Sequence, residues 1–123
     1  MKEQFFGQTR RHRRFIVDAM DISGIATTPG EGGPTSFKVM TLSLGGMLIQ
    51  SCRLHETGST LQMEMALPQN VRLSFSGSVT SSFPAADGHY DVGIKFGALS
   101  EQEKTKLKEF IRWLYLEDAG FDG

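Results

Sequence analysis

The sequence predicts a mainly β fold, an antiparallel barrel or sandwich of about six short strands, followed by one amphipathic C-terminal helix. Three observations carry that expectation. Apolar residues alternate at period two through the middle of the chain, as in Leu61, Met63, Met65 and Leu67. Stretches rich in Gly, Pro, Ser and Asn interrupt these runs at regular spacing. Beyond Ser100 the period changes, and Leu107, Phe110, Ile111 and Leu114 follow the i, i+3, i+4, i+7 pattern of a helix.

Taken in order, residues 1–9 are polar around a Phe5-Phe6 pair and are expected to form a flexible leader. β character begins at Phe15-Ile16-Val17, which predicts a first strand running to about Met20 or Ile25. Residues 27–36 (TTPGEGGPTS) read as a loop. Residues 37–42 alternate as a second strand, Ser43-Leu44-Gly45-Gly46 breaks it, and β character restarts over residues 47–51. Gly58 and Ser59 mark the turn into a strand over residues 60–67, and Pro68-Gln69-Asn70 marks the turn out of it. Strands over residues 71–79 and 90–96 then flank a polar connection at residues 81–88. Ser100 and Glu103 stand at capping-box spacing, so the helix starts there. It is expected to end near Leu116, leaving residues 10–117 as the folded domain and 118–123 as a flexible tail. Trp113, Tyr115 and Leu116 cannot all face inward on one helix, so part of that group is a candidate partner surface.

At 123 residues and a formal net charge of −1, the chain fits one domain able to bury a core without disulfides. No apolar run is long enough to span a bilayer, so membrane insertion is not expected. Cys52 is the only cysteine, which points to a reduced, cytoplasmic setting, and the opening residues hold no apolar signal core. Catalysis is not expected either. His12, His55 and His89 lack metal-ligand spacing to one another or to Cys52, and no nucleophile-elbow, zincin or phosphate-loop motif occurs. Cys52, at the end of a strand, reads as a packed small residue.

The net charge is an average over two unlike parts. Residues 1–14 carry +4 and the remainder carries −5. The basic excess lies in Arg10-Arg11-His12-Arg13-Arg14, just before the first strand. Arginine presents a planar fork of donors that matches phosphate and the acceptor edge of guanine. Arg10 and Arg14 are therefore able to grip two sides of one compact anion, although on charge alone the same run also reads as a solvated basic tail. The second segment of interest is Thr41-Leu42-Ser43-Leu44-Gly45-Gly46. Ser43 supplies a hydroxyl, and the glycine pair allows a sharp turn that presents backbone N–H groups to an oxygen-rich ligand. An ordinary turn between strands has the same composition.

In this order and at this separation, the two segments resemble the PilZ domain family, which is marked by RxxxR and, further on, [DN]xSxxG. Here RxxxR is Arg10 to Arg14, and the second motif is Thr41, Ser43 and Gly46; Val92-Gly93-Ile94-Lys95-Phe96 is similar to the family's last-strand signature. The resemblance implies a six-stranded antiparallel β-barrel with a helix packed on it, binding the bacterial second messenger cyclic di-GMP and relaying the signal to a protein partner. It implies that Arg10 and Arg14 clamp phosphates and guanine edges, and that Thr41 and Ser43 contact the other guanine. Gly45 and Gly46 then permit close approach, and Arg11 and Arg13 add charge or stack on a base. Thr41 departs from the family's Asp or Asn. A hydroxyl in place of a carboxylate removes a charge-assisted contact worth about 1.5–3 kcal/mol, roughly tenfold to a hundredfold in affinity. That departure keeps open a second expectation, a degenerate adaptor that binds a protein partner without nucleotide. Long nucleic acid is not an expected partner, because the −5 body of the chain repels a polyanion.

Overall fold

A computed structural model describes residues 12–30 and 32–122, with side chains described as far as Glu117. Arg10, Arg11 and the expected leader at residues 1–9 lie outside the described residues. Seven strands occur among those described: β1 (Phe15–Ile16), β2 (Ser23–Thr27), β3 (Thr35–Leu42), β4 (Gly46–Ser51), β5 (Thr60–Leu67), β6 (Val71–Pro84) and β7 (Tyr90–Phe96). Helix α1 (Glu101–Asp122) follows. All pairings are antiparallel, in the order β1-β3-β2-β5-β6-β7-β4, and a further β3–β4 pairing closes the sheet. Strands β2 to β7 thus form a six-stranded barrel, and β1 is an extra two-residue strand laid along β3.

Alternation sorts the side chains. Phe15, Leu42, Met47, Ile94 and Val79 lie in one register row across β1, β3, β4, β7 and β6, and all five are buried. One residue along, Ile16, Thr41, Leu48, Gly93 and Ser81 form the next row, on the outer wall. In β5 every second residue is buried, as its period-two pattern predicts.

The single first strand expected from Phe15 onward is interrupted. Phe15 and Val17 point inward at odd positions, whereas Ile22 and Ala26 are buried at even ones. A continuous strand would therefore turn Asp21 into the core. A 3-10 turn at Asp18–Met20, with Asp21 in the left-handed region at φ 55°, absorbs the change of parity. The main chain then rejoins the same edge of β3, where Val17 N–H donates to Met40 O at 2.9 Å and Val39 N–H donates to Ile22 O at 2.8 Å.

Strand β6 also runs beyond its expected end at Val79, taking in the first half of the polar connection as far as Pro84. A bulge between Val79 and Ser81 allows this. Cys52 is exposed rather than packed, because β4 stops at Ser51 and the chain leaves the barrel there.

Helix α1 buries Leu107, Phe110, Ile111 and Leu114 against the barrel. Ser100 caps it, its Oγ accepting Glu103 N–H at 3.1 Å. The other half of the expected capping box is absent. The Glu103 carboxylate accepts Ser74 N–H on β6 at 2.6 Å and pairs with Lys106 at 3.1 Å. The helix continues past Leu116 to Asp122, so the stretch expected as a flexible tail is helical as far as that residue. A lone Gly120 costs a helix only about 1 kcal/mol and does not end it.

Candidate functional site

The β3–β4 turn is built around one hydroxyl. Ser43 Oγ accepts Gly45 N–H at 3.1 Å and Gly46 N–H at 3.2 Å, while Ser43 N–H donates to Gly46 O at 2.9 Å. Phe96 N–H donates to Gly45 O at 3.0 Å, fastening the turn to the end of β7. The expectation that the glycine amides face a ligand is thus corrected: Ser43 takes both of them. The glycines contribute shape. A Cβ on Gly46 would run into the carbonyl oxygen of Ile94, and one on Gly45 would come within 3.2 Å of the His12 ring.

Beside this turn lies an open cleft of about 590 Å³ on the outer wall, within the roughly 300–1,000 Å³ range of small-molecule sites. Arg14, Ser43, Gly45 and Gly46 line it, so four of the residues singled out from the sequence do converge. Its floor is β4 and β7 at Leu48 and Gly93, and its far side is Thr80 and Ser81. The β6 bulge places both hydroxyls there. A Cβ on Gly93 would stand 2.8 Å from Thr80 Oγ1 and 2.6 Å from Ser81 Oγ, so glycine keeps the floor flat. Lys95 and His12 complete the lining. A groove of about 400 Å³ continues from Gly45, His12 and Lys95 to Lys104 and Lys108 on α1. Among the described residues neither cleft is lined by Asp or Glu, and a lining with cations and no carboxylate favours an anionic ligand.

Thr41 stands apart from this group. It lies on β3 between Ile16 and Leu48, does not line the cleft, and has a buried Oγ1 without a hydrogen-bond partner among the described residues. Arg13 is placed differently from the expectation of added charge or base stacking. Its guanidinium carbon lies 4.6 Å from the Phe15 ring centre and 5.4 Å from that of Tyr115 on α1. Lys95, Thr80 and Ser81 are cleft residues that the sequence motifs did not single out. For Lys95 a signal existed, since alternation in β7 turns it outward between buried Ile94 and half-buried Phe96. Thr80 and Ser81 enter through a bulge, which has no such pattern.

The sequence matches the family model of the PilZ domain over residues 8–113. The chain belongs to the PilZ domain family. Solved structures share its fold. The PilZ domain of YcgR from Escherichia coli with c-di-GMP superposes with a TM-score of 0.71 at 20% identity, covering 92% of this chain and 96% of that one. MrkH of K. pneumonia, in its c-di-GMP complex, gives 0.76 at 16% identity, covering 89% of this chain and 54% of that one. MotI/DgrA, an inhibitor of motility from Bacillus subtilis, gives 0.72 at 13% identity, with coverages of 88% and 52%. This PilZ chain therefore spans nearly all of the YcgR domain and about half the length of MrkH and MotI. No curated protein matches its sequence. No helix among the described residues is long and apolar enough to cross a membrane.

Proposed function

We propose that this PilZ chain is a non-catalytic receptor for cyclic di-GMP that works in the bacterial cytoplasm and passes ligand occupancy to a protein partner. The observation that carries the reading is the cationic cleft on the outer wall, which brings Arg14, Lys95 and the Ser43-to-Gly46 turn together with no lining carboxylate among the described residues. Cyclic di-GMP carries two phosphates and two guanines. Arg14 offers a bidentate fork to a phosphate or to a guanine acceptor edge. Lys95, paired with Gly46, adds a point charge beside the turn, the flat Gly93 floor admits a planar base, and the Thr80 and Ser81 hydroxyls serve as donors or acceptors. In this reading Arg10 is the second arginine of the clamp, and Arg11 adds charge or stacks on a base. The c-di-GMP-bound state of the YcgR domain and of MrkH supports the choice of ligand.

Thr41 favours a second reading, an adaptor that binds its partner without nucleotide. The residue brings no charge, and its hydroxyl is buried off the cleft. Calorimetric titration with cyclic di-GMP separates the two. The receptor reading expects saturable heat that is lost in Arg14→Ala and in Arg10→Ala. The adaptor reading expects no heat from the native protein and binding created by Thr41→Asp.

A further inference from the structure

Arg13 sits inside the arginine run but on the other face of the chain from the cleft. In an extended segment alternate side chains share a face, so Arg13 goes with Phe15, while Arg14 goes with Ile16 on the outer wall. Phe15 is buried, and its ring meets Tyr115 edge-on, centres 5.0 Å apart at 83°. The Arg13 guanidinium covers both rings, at 4.6 and 5.4 Å. Tyr115 is held in turn by α1, which Leu107, Ile111 and Leu114 anchor to the barrel. The ladder of β1 begins at Phe15, opposite Leu42, so Arg13 and Arg14 precede it. Continuing that register by one residue sets Arg14 level with Ser43, at the mouth of the cleft.

We propose that Arg13 and Tyr115 are positioning residues for the dinucleotide site: their stack orients the segment before β1 so that Arg14 faces the cleft, and it links occupancy of the cleft to the last turns of α1. This inference rests on the cyclic di-GMP reading above. It assigns the arginines of the run different tasks, Arg14 to the ligand and Arg13 to the helix. Because linkage is reciprocal, a ligand that needs Arg14 in place also strengthens the Arg13–Tyr115 contact. The end of α1, where Tyr115 is 45% and Leu116 62% exposed, is then the surface whose order changes with ligand.

The test compares the native protein with Tyr115→Phe, which keeps the aromatic face, and Tyr115→Leu, which keeps apolar bulk without it. Each is followed by the rate of tryptic cleavage after Arg13 and Arg14 without ligand, and by titration with cyclic di-GMP. Thermal unfolding confirms that each variant melts cooperatively. Tyr115→Phe is expected to match the native protein in both measurements. Tyr115→Leu is expected to be cut faster and to bind roughly threefold to thirtyfold more weakly. Native cleavage rate and native affinity in Tyr115→Leu overturn the proposal. Should Tyr115→Leu fail to fold, Arg13→Leu, changed at an exposed side chain, serves in its place, with cleavage read after Arg14. If the native protein takes up no cyclic di-GMP, the receptor reading fails, and the cleavage rates still decide whether the stack orders the segment.

Discussion

The Glu103 carboxylate accepts the backbone N–H of Ser74 at 2.6 Å, tying the first turn of α1 to the first half of β6. That hydrogen bond, with a smaller contribution from Lys106, holds the Glu103 carboxyl below its ordinary value of about 4.5, against the opposing effect of desolvation. A group with a depressed folded-state pKa contributes stability above its unfolded value, and that contribution is lost as pH falls through the folded value. Glu103→Ala is therefore expected to cost about 1–2 kcal/mol near neutral pH. In urea titrations the difference from the native protein should shrink steadily as pH drops below about 4.5. A difference independent of pH would show that the charge plays no part.

Gly46 fits where a side chain does not, because its Cβ position meets the Ile94 carbonyl on β7. Gly46→Ala is expected to lower stability by about 1–3 kcal/mol, since β4 and β7 are paired there and neither backbone moves freely. Gly32→Ala, where a Cβ meets nothing within 4 Å, should stay within about 0.5 kcal/mol of the native protein. Chemical denaturation of the two variants side by side checks the contrast.

The Thr41 hydroxyl is buried without a hydrogen-bond partner among the described residues. Replacing it by a methyl group of similar shape in Thr41→Val is expected to be neutral or to stabilise by up to about 1 kcal/mol. A destabilisation larger than that in equilibrium unfolding would mean that the hydroxyl is satisfied in the folded protein.

Much of this architecture was legible in the chain, because a half-buried antiparallel strand and a surface helix each write their period into the order of residues. Leu61 to Leu67 and Leu107 to Leu114 are the clearest cases. The interruption between β1 and β2 was not legible, since apolar runs on both sides conceal the change of parity between Val17 and Ile22. In the cleft, Arg14, Ser43, Gly45 and Gly46 were found by motif because local spacing holds them. Thr41 belongs to the same motif and shares a register row with Leu48 and Gly93, but it lies one strand beyond them, on β3, and does not line the cleft, a displacement that only strand register reveals. The contact of Arg13 with Tyr115 was not legible, because Tyr115 comes from the far end of the sequence and no local pattern joins them.

The central claim is that the cleft beside Ser43 takes a cyclic dinucleotide. It is tested most directly by calorimetric titration of the native protein with cyclic di-GMP, with duplex DNA titrated in parallel. Saturable heat with the dinucleotide, abolished by Arg14→Ala and absent with DNA, is the expected result. No heat at high dinucleotide concentration, or the same affinity in Arg14→Ala as in the native protein, would contradict it.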